Sequence, residues 1–188
     1  PIALLDAEVD GERLVDGDVI SFPFLMVIAG NETTTKLLCN ALYWLWRNPS
    51  ARQAVRADRG LVPAWAEETL RYDPSTQILA RTVRGDWAWG GRQMRDGDKV
   101  LLLVGSANRD ERVFPDPDVY DLRRDHTAHL AFGKGTHFCM GASLARLEAR
   151  IALEAVLEHM PDFEIDPAGL VRVHSVNVRG FASMPVSF

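Results

Sequence analysis

From Asp18 to Arg47 apolar residues recur at helical spacing, with Met26, Leu37, Leu38, Ala41, Leu42 and Leu45 among them. At about 1.5 Å per residue this makes a helix of roughly 45 Å, too long to lie on the surface of a small domain. A helix so long and so apolar is expected to run through the core, and everything else must be arranged around it. Pro23 falls inside the pattern. It removes one backbone hydrogen bond and kinks a helix, so the regular part is expected to start near Pro23, where proline is tolerated in a first turn.

The remaining elements are shorter. Asn48-Pro49 stops the long helix and opens another running to about Ala57; a third follows Pro63, packs Trp65, Ala66, Leu70 and Tyr72, and stops at Asp73-Pro74. Between Gln77 and Val104 the period changes to that of short strands, with turns at Gly85, Gly90-Gly91 and Gly97. Residues 105–137 have little periodicity, and a stretch of that length in a compact domain usually has a function. A last helix spans about Met140 to Glu158, with Leu144, Leu147, Ile151 and Ala155 as its packed stripe. The tail after Pro161 reads as edge strands. The fold class expected is mainly α with small β-sheets (α+β).

Composition excludes several functions. The 188 residues carry 21 basic and 26 acidic side chains, a net charge of −5, which argues against nucleic acid as the partner. Two cysteines 100 residues apart, Cys39 and Cys139, leave no disulfide framework and no zinc site built on several thiolates; a reducing, cytoplasmic setting follows. The apolar run from Ile20 to Gly30 is about one third to one half of a membrane span and has no basic segment before it, so neither an anchor nor a signal peptide is expected. A start at Pro1 without an initiator Met suggests a fragment or a processed product.

The chemistry is concentrated in Phe132-Gly133-Lys134-Gly135-Thr136-His137-Phe138-Cys139-Met140-Gly141. Glycines, then a cysteine, then an apolar helix describe a loop that delivers one sulfur to a helix N-terminus. There the free amides and the helix dipole favour thiolate, which is a nucleophile or a metal ligand. Gly133, Gly135 and Gly141 permit the close approach of a flat macrocycle. A buried structural cysteine is the plain alternative. A phosphate loop fails on glycine spacing.

This segment resembles the cysteine-ligand signature of the cytochrome P-450 family: Phe132, Gly135, Cys139 and Gly141 occupy its four fixed positions. The resemblance implies heme b (iron protoporphyrin IX) with Cys139 as the axial iron ligand, His137 on a propionate and Phe132 beside the sulfur. Thiolate ligation of this kind pushes electron density toward O–O cleavage. Ala29-Gly30-Asn31-Glu32-Thr33-Thr34 resembles the family's oxygen groove, where Gly30 leaves room for a diatomic ligand and Thr33 and Glu32 manage protons. Glu68-Thr69-Leu70-Arg71 matches the family's ion-pair motif, with Arg124 as third member bracing the loop, and Arg81 matches its propionate-binding arginine.

The motifs occur in the family's order, and phrases such as Ala107-Asn108-Arg109-Asp110 and Leu144-Ala145-Arg146 resemble soluble bacterial members. Members are roughly twice as long. The resemblance therefore implies that residues 1–188 are the haem-binding C-terminal portion, with the N-terminal half absent. It implies a monooxygenase that inserts one atom of O2 into an apolar small-molecule substrate, using electrons from a ferredoxin-type or other donor that could dock on Lys134, Arg109 and Arg146. Two other readings stand beside it: a catalytically silent fragment that needs its missing half to bind haem, and a cysteine hydrolase, for which His137 is poorly placed. Cys39 is expected in the core, and His126, His159 and His174 on the surface or satisfied.

Overall fold

The computed structural model describes residues 2–188. A short helix α1 (Ile2–Leu5) and a hairpin of β1 (Glu8–Val9) and β2 (Glu12–Arg13) precede the long helix α2 (Asp16–Arg47). Then come α3 (Pro49–Ala57) and α4 (Val62–Tyr72). Four short strands follow, β3 (Leu79–Thr82), β4 (Trp87–Trp89), β5 (Arg92–Met94) and β6 (Lys99–Leu102), and after them α5 (Val104–Ala107). Residues 108–141 are turns and loop around one 3-10 turn, Gly135–His137. The chain closes with α6 (Ala142–His159) and strands β7 (Glu164–Ile165), β8 (Val171–Arg172), β9 (Phe181–Ser183) and β10 (Val186–Ser187).

The helix α2 does not wait for Pro23; it begins at Asp16 and carries the proline inside. Asp16 and Asp18 in its first turn suit the helix dipole. The expectation that it crosses the core holds only for its second half. Leu37, Asn40, Ala41 and Leu45 are buried, whereas Ile20, Phe24, Leu25, Val27 and Ile28 are exposed, because no described element packs over that half.

The core is the meeting of α2, α4 and α6. Trp65 is fully buried and donates its indole N–H to the Ala41 carbonyl at 3.0 Å, which pins α4 to α2. On α6 the buried stripe is Ala149, Leu153 and Leu157. The stripe expected from periodicity corrects to an outward one: Leu144, Leu147 and Ile151 are exposed. Both stripes are apolar at helical spacing, and the one that faces α2 and α4 won. Each fully buried leucine contributes about 1.5–3 kcal/mol relative to an exposed one.

Among the described residues the strands form five two-stranded antiparallel sheets, β3 with β6, β4 with β5, β1 with β2, β7 with β10 and β8 with β9. Such pairs are marginal alone and lean on the helices. The predicted glycine turns all adopt positive φ, at Gly85, Gly90, Gly91 and Gly97. Val104 belongs to α5 rather than to a strand. No described helix is long and apolar enough to cross a membrane.

Candidate functional site: an exposed cysteine loop held by two acids of one helix

The loop is held from both ends. Within it, the Cys139 amide donates to the Phe132 carbonyl at 2.8 Å, and the Ala142 amide donates to the Cys139 carbonyl at 3.2 Å where α6 starts. These bonds close residues 132–139 into a lobe with the cysteine at its exposed edge. Gly133 and Gly135 have φ of 72° and 74°, left-handed angles that a side chain would strain. Phe138 and Met140 flank the sulfur and are also exposed.

Behind the loop sits a buried ion pair. The Arg71 guanidinium binds the Glu68 carboxylate in a two-pronged contact of 2.8 Å each, with both side chains fully buried. Arg71 also donates to the carbonyls of Asn108 at 3.0 Å, Pro117 at 2.9 Å and Val119 at 3.2 Å. Glu68 receives the Asp121 amide at 2.8 Å. Burial opposes its charge, but the donors Arg71, His126 and the Asp121 amide outweigh burial and hold the carboxyl below its ordinary range. Arg124, the expected third member, reaches Glu68 at 3.8 Å and also donates to the carbonyls of Pro115, Asp116 and Val119. It joins the ion pair at longer range and tightens the 115–119 turn as well. His126 is closer, at 3.3 Å. It belongs to this cluster, but its buried Nε2 makes no well-aligned hydrogen bond there, so the expectation of a surface or satisfied ring is not met.

A second cluster was not foreseen. Glu67, next to Glu68, accepts from Arg146 of α6 at 2.6 and 3.0 Å and faces the His129 ring at 2.9 Å. The Ala131 amide donates to His129 Nδ1 at 3.2 Å, so the ring hydrogen sits on Nε2 and points at Glu67. Arg146 lies over the Phe132 ring, 4.6 Å from its centre. Burial opposes the Glu67 charge, but the hydrogen bonds from His129 and Arg146 hold its carboxyl at about 2. The Arg146 guanidinium is pushed up, first by its bond to Glu67 and in smaller part by the charge of Cys139. Buried Asn108 completes the frame: its side-chain oxygen accepts the Leu130 amide at 2.7 Å. Asn108 and Arg146 lie within phrases already legible as family-like, but their partners are many residues away.

The other expected residues are placed as follows. Gly30, on the exposed half of α2, opens onto empty space. Glu32 is exposed. The Thr33 hydroxyl donates to the Ala29 carbonyl at 2.6 Å, and the Thr33 carbonyl accepts from Ser75 at 2.7 Å, which ties this turn to the segment leading into β3. Arg81 on β3 is exposed and bonds only the Ala80 carbonyl at 2.9 Å. His137 is exposed and forms no hydrogen bond with Cys139 among the described residues, which gives a hydrolytic pair no support. The basic patch does not form as expected. Arg109 pairs with Asp118 and Arg146 with Glu67, because each has a nearer acid than any outside partner. Cys39 is half-buried, and burial pushes its thiol up.

The described residues contain no group of three or more metal-ligating side chains. An iron held here needs its other ligands from a cofactor, and one exposed thiol fits that donor set. Gly30 and Gly135 face open space, and Phe138 and Met140 beside the sulfur are exposed apolar side chains that a macrocycle could cover. Arg81 and His137 are exposed cationic or ionisable groups of the kind that suit its carboxylates. The residues fit haem.

Fold and site together are a long helix, a braced loop and one exposed sulfur at its edge. Residues 2–185 match the profile of cytochrome P-450, and the chain belongs to the cytochrome P-450 family. It is 56% identical over 186 residues to cytochrome P-450 123 of Mycobacterium tuberculosis, covering 98% of this chain and 46% of that one. It is 39% identical to a steroid C26-monooxygenase of Mycolicibacterium smegmatis, with the same coverage of both. The solved structure of CYP109Q5 from Chondromyces apiculatus superposes with a TM-score of 0.91 at 45% identity, over 97% of this chain and 47% of that one. The chain spans about half the length of the relatives it matches.

Proposed function

We propose that residues 1–188 are the haem-binding C-terminal portion of a haem-thiolate monooxygenase, with Cys139 as the iron ligand. The carrying observation is the exposed sulfur at the edge of a loop whose own amide is already bonded to Phe132. Membership of the family and the relatives' shared half-length match support the reading. Haem, when bound, would supply activation of O2 with two electrons from a ferredoxin-type or other donor and two protons, one oxygen atom entering an apolar organic substrate and the other leaving as water.

The chain's own residues do the rest. Cys139 donates its thiolate, whose negative charge the α6 N-terminus favours. Arg81 and His137 bind the propionates, and Phe132 and Gly141 shape the ground beside the sulfur. Gly30 leaves space against α2, and the Thr33 hydroxyl, which already spends its hydrogen on Ala29, accepts a proton donor there, while Glu32 exchanges protons with water. Glu68 and Arg71 hold the segment before the loop, with Arg124 tightening it. Steroid handling by the M. smegmatis relative makes a flat apolar molecule one candidate substrate class.

One observation favours a second reading. Exposed Ile20, Phe24, Leu144 and Ile151 form more apolar surface than a stable monomer usually shows, so haem binding waits on a further segment that covers them. Haem titration of the purified chain separates the two. Stoichiometric uptake with a thiolate-shifted Soret band in the reduced, carbon monoxide-bound state, lost in Cys139→Ser, is the result expected. The same band surviving in Cys139→Ser rejects the assignment, and no uptake at all leaves the second reading standing.

A further inference from the structure

The Glu67 cluster is not needed to hold the meander, which Glu68 and Arg71 already secure, yet it ends on the aromatic ring whose backbone carries the Cys139 amide bond. Glu67 holds one edge of the Arg146 guanidinium through Nε at 2.6 Å and Nη2 at 3.0 Å, so the plane of that group is set by α4 as well as by α6, from which it grows. Its face lies over Phe132 at 4.6 Å. On the same ring's surroundings stand His129, 6.1 Å away and bonded to the same carboxylate, and Phe138, 6.4 Å away and adjacent to the cysteine. Phe132 is thus gripped by a cation and an imidazole that share one acid. Its carbonyl cannot shift without disturbing both.

We propose that Glu67 is a positioning residue for the cysteine loop: through Arg146 and His129 it clamps the Phe132 ring, and so fixes the carbonyl that orients the Cys139 amide and sulfur. The proposal rests on the haem-thiolate reading for its consequence, but not for its geometry. A planar guanidinium can serve as such a clamp because its fork matches a carboxylate while its face stacks on a ring. An ammonium group cannot do both. The half-buried setting strengthens each contact relative to one in free solvent.

The test is hydrogen exchange of the Cys139 amide in the full 188-residue chain without added haem, for wild type, Glu67→Gln, Arg146→Lys and, as a surface control, Glu158→Gln. Glu67→Gln is expected to speed Cys139 exchange about tenfold, the factor given by about 1.4 kcal/mol of lost local stability, with the amides of Leu153 and Leu157 unchanged. Arg146→Lys, which keeps the charge but loses the fork and the face, is expected not to rescue the loop. The control stays at wild-type rates. In haem-loaded samples the clamp variants show a smaller share of the thiolate-shifted carbon monoxide band. Cys139 exchange unchanged in Glu67→Gln overturns the proposal, as does acceleration spread equally over Leu153 and Leu157 or full protection in Arg146→Lys. Failure of wild type to take up haem counts against the thiolate reading alone, because the exchange measurement is made without it.

Discussion

Replacing Arg71 by Met tests how the loop's foundation is held. Methionine fills much of the same space without charge, so the loss isolates the polar contacts. In wild type five hydrogen bonds leave the guanidinium: two to Glu68 and one each to the carbonyls of Asn108, Pro117 and Val119. Val119 keeps a bond from Arg124, but the buried Asn108 carbonyl and the half-buried Pro117 carbonyl lose theirs. Glu68, fully buried, is left with the Asp121 amide, His126 at 3.3 Å and Arg124 at 3.8 Å. Removing one partner of a buried ion pair costs about 3–5 kcal/mol, because the other charge stays uncompensated. Against a total stability of about 5–15 kcal/mol, that removes a large fraction of it while leaving most variants of this size folded in water. Urea unfolding followed by tryptophan fluorescence measures it, as a lower midpoint at unchanged slope. A loss below about 1 kcal/mol refutes the reasoning, since that is the scale of an exposed pair.

Two further outcomes are expected. Glu67, whose carboxyl is lowered from 4.5 to about 2, contributes stability that is fully present above pH 4.5 and lost as pH falls toward 2. The stability gap between wild type and Glu67→Gln should therefore shrink across that window in urea titrations at a series of pH values, and a gap independent of pH contradicts the assignment. Alkylation should label Cys139 well before Cys39, since Cys139 is exposed while burial both shields Cys39 and raises its thiol. Peptide mass spectrometry reads the order, and equal rates at the two sites count against the loop geometry.

What the sequence made legible is what local rules encode. Pro49 and Pro63 sit in the first turns of α3 and α4, the four glycines of the three predicted turns have positive φ, and the (i, i+3) spacing of Glu68 and Arg71 does produce a shared face. The misses share one cause, that a local pattern does not name its partner. Leu144, Leu147 and Ile151 look as buried as Ala149, Leu153 and Leu157 until α2 and α4 are seen to take the second set. Pro23 looks like a helix start until the exposed half of α2 shows that a proline there disturbs no packing. His129 and Arg146 meet Glu67 across 62 and 79 residues, a separation at which no periodicity survives.

The adjacency of Glu67 and Glu68 explains why the bracing is divided as it is. Neighbouring residues on an α-helix point about 100° apart, so two consecutive carboxylates cannot serve one partner. Glu68 turns inward, where only a fully paired charge survives, and takes Arg71 and the Asp121 amide of the meander. Glu67 turns toward α6 and the loop, where partial exposure tolerates a looser network of His129 and Arg146. A single helical turn thereby fixes the approach to the cysteine from one side and the departure into α6 from the other. The sulfur's position then depends on α4, an element that contributes no atom to it, and a shift of that helix must move both supports together.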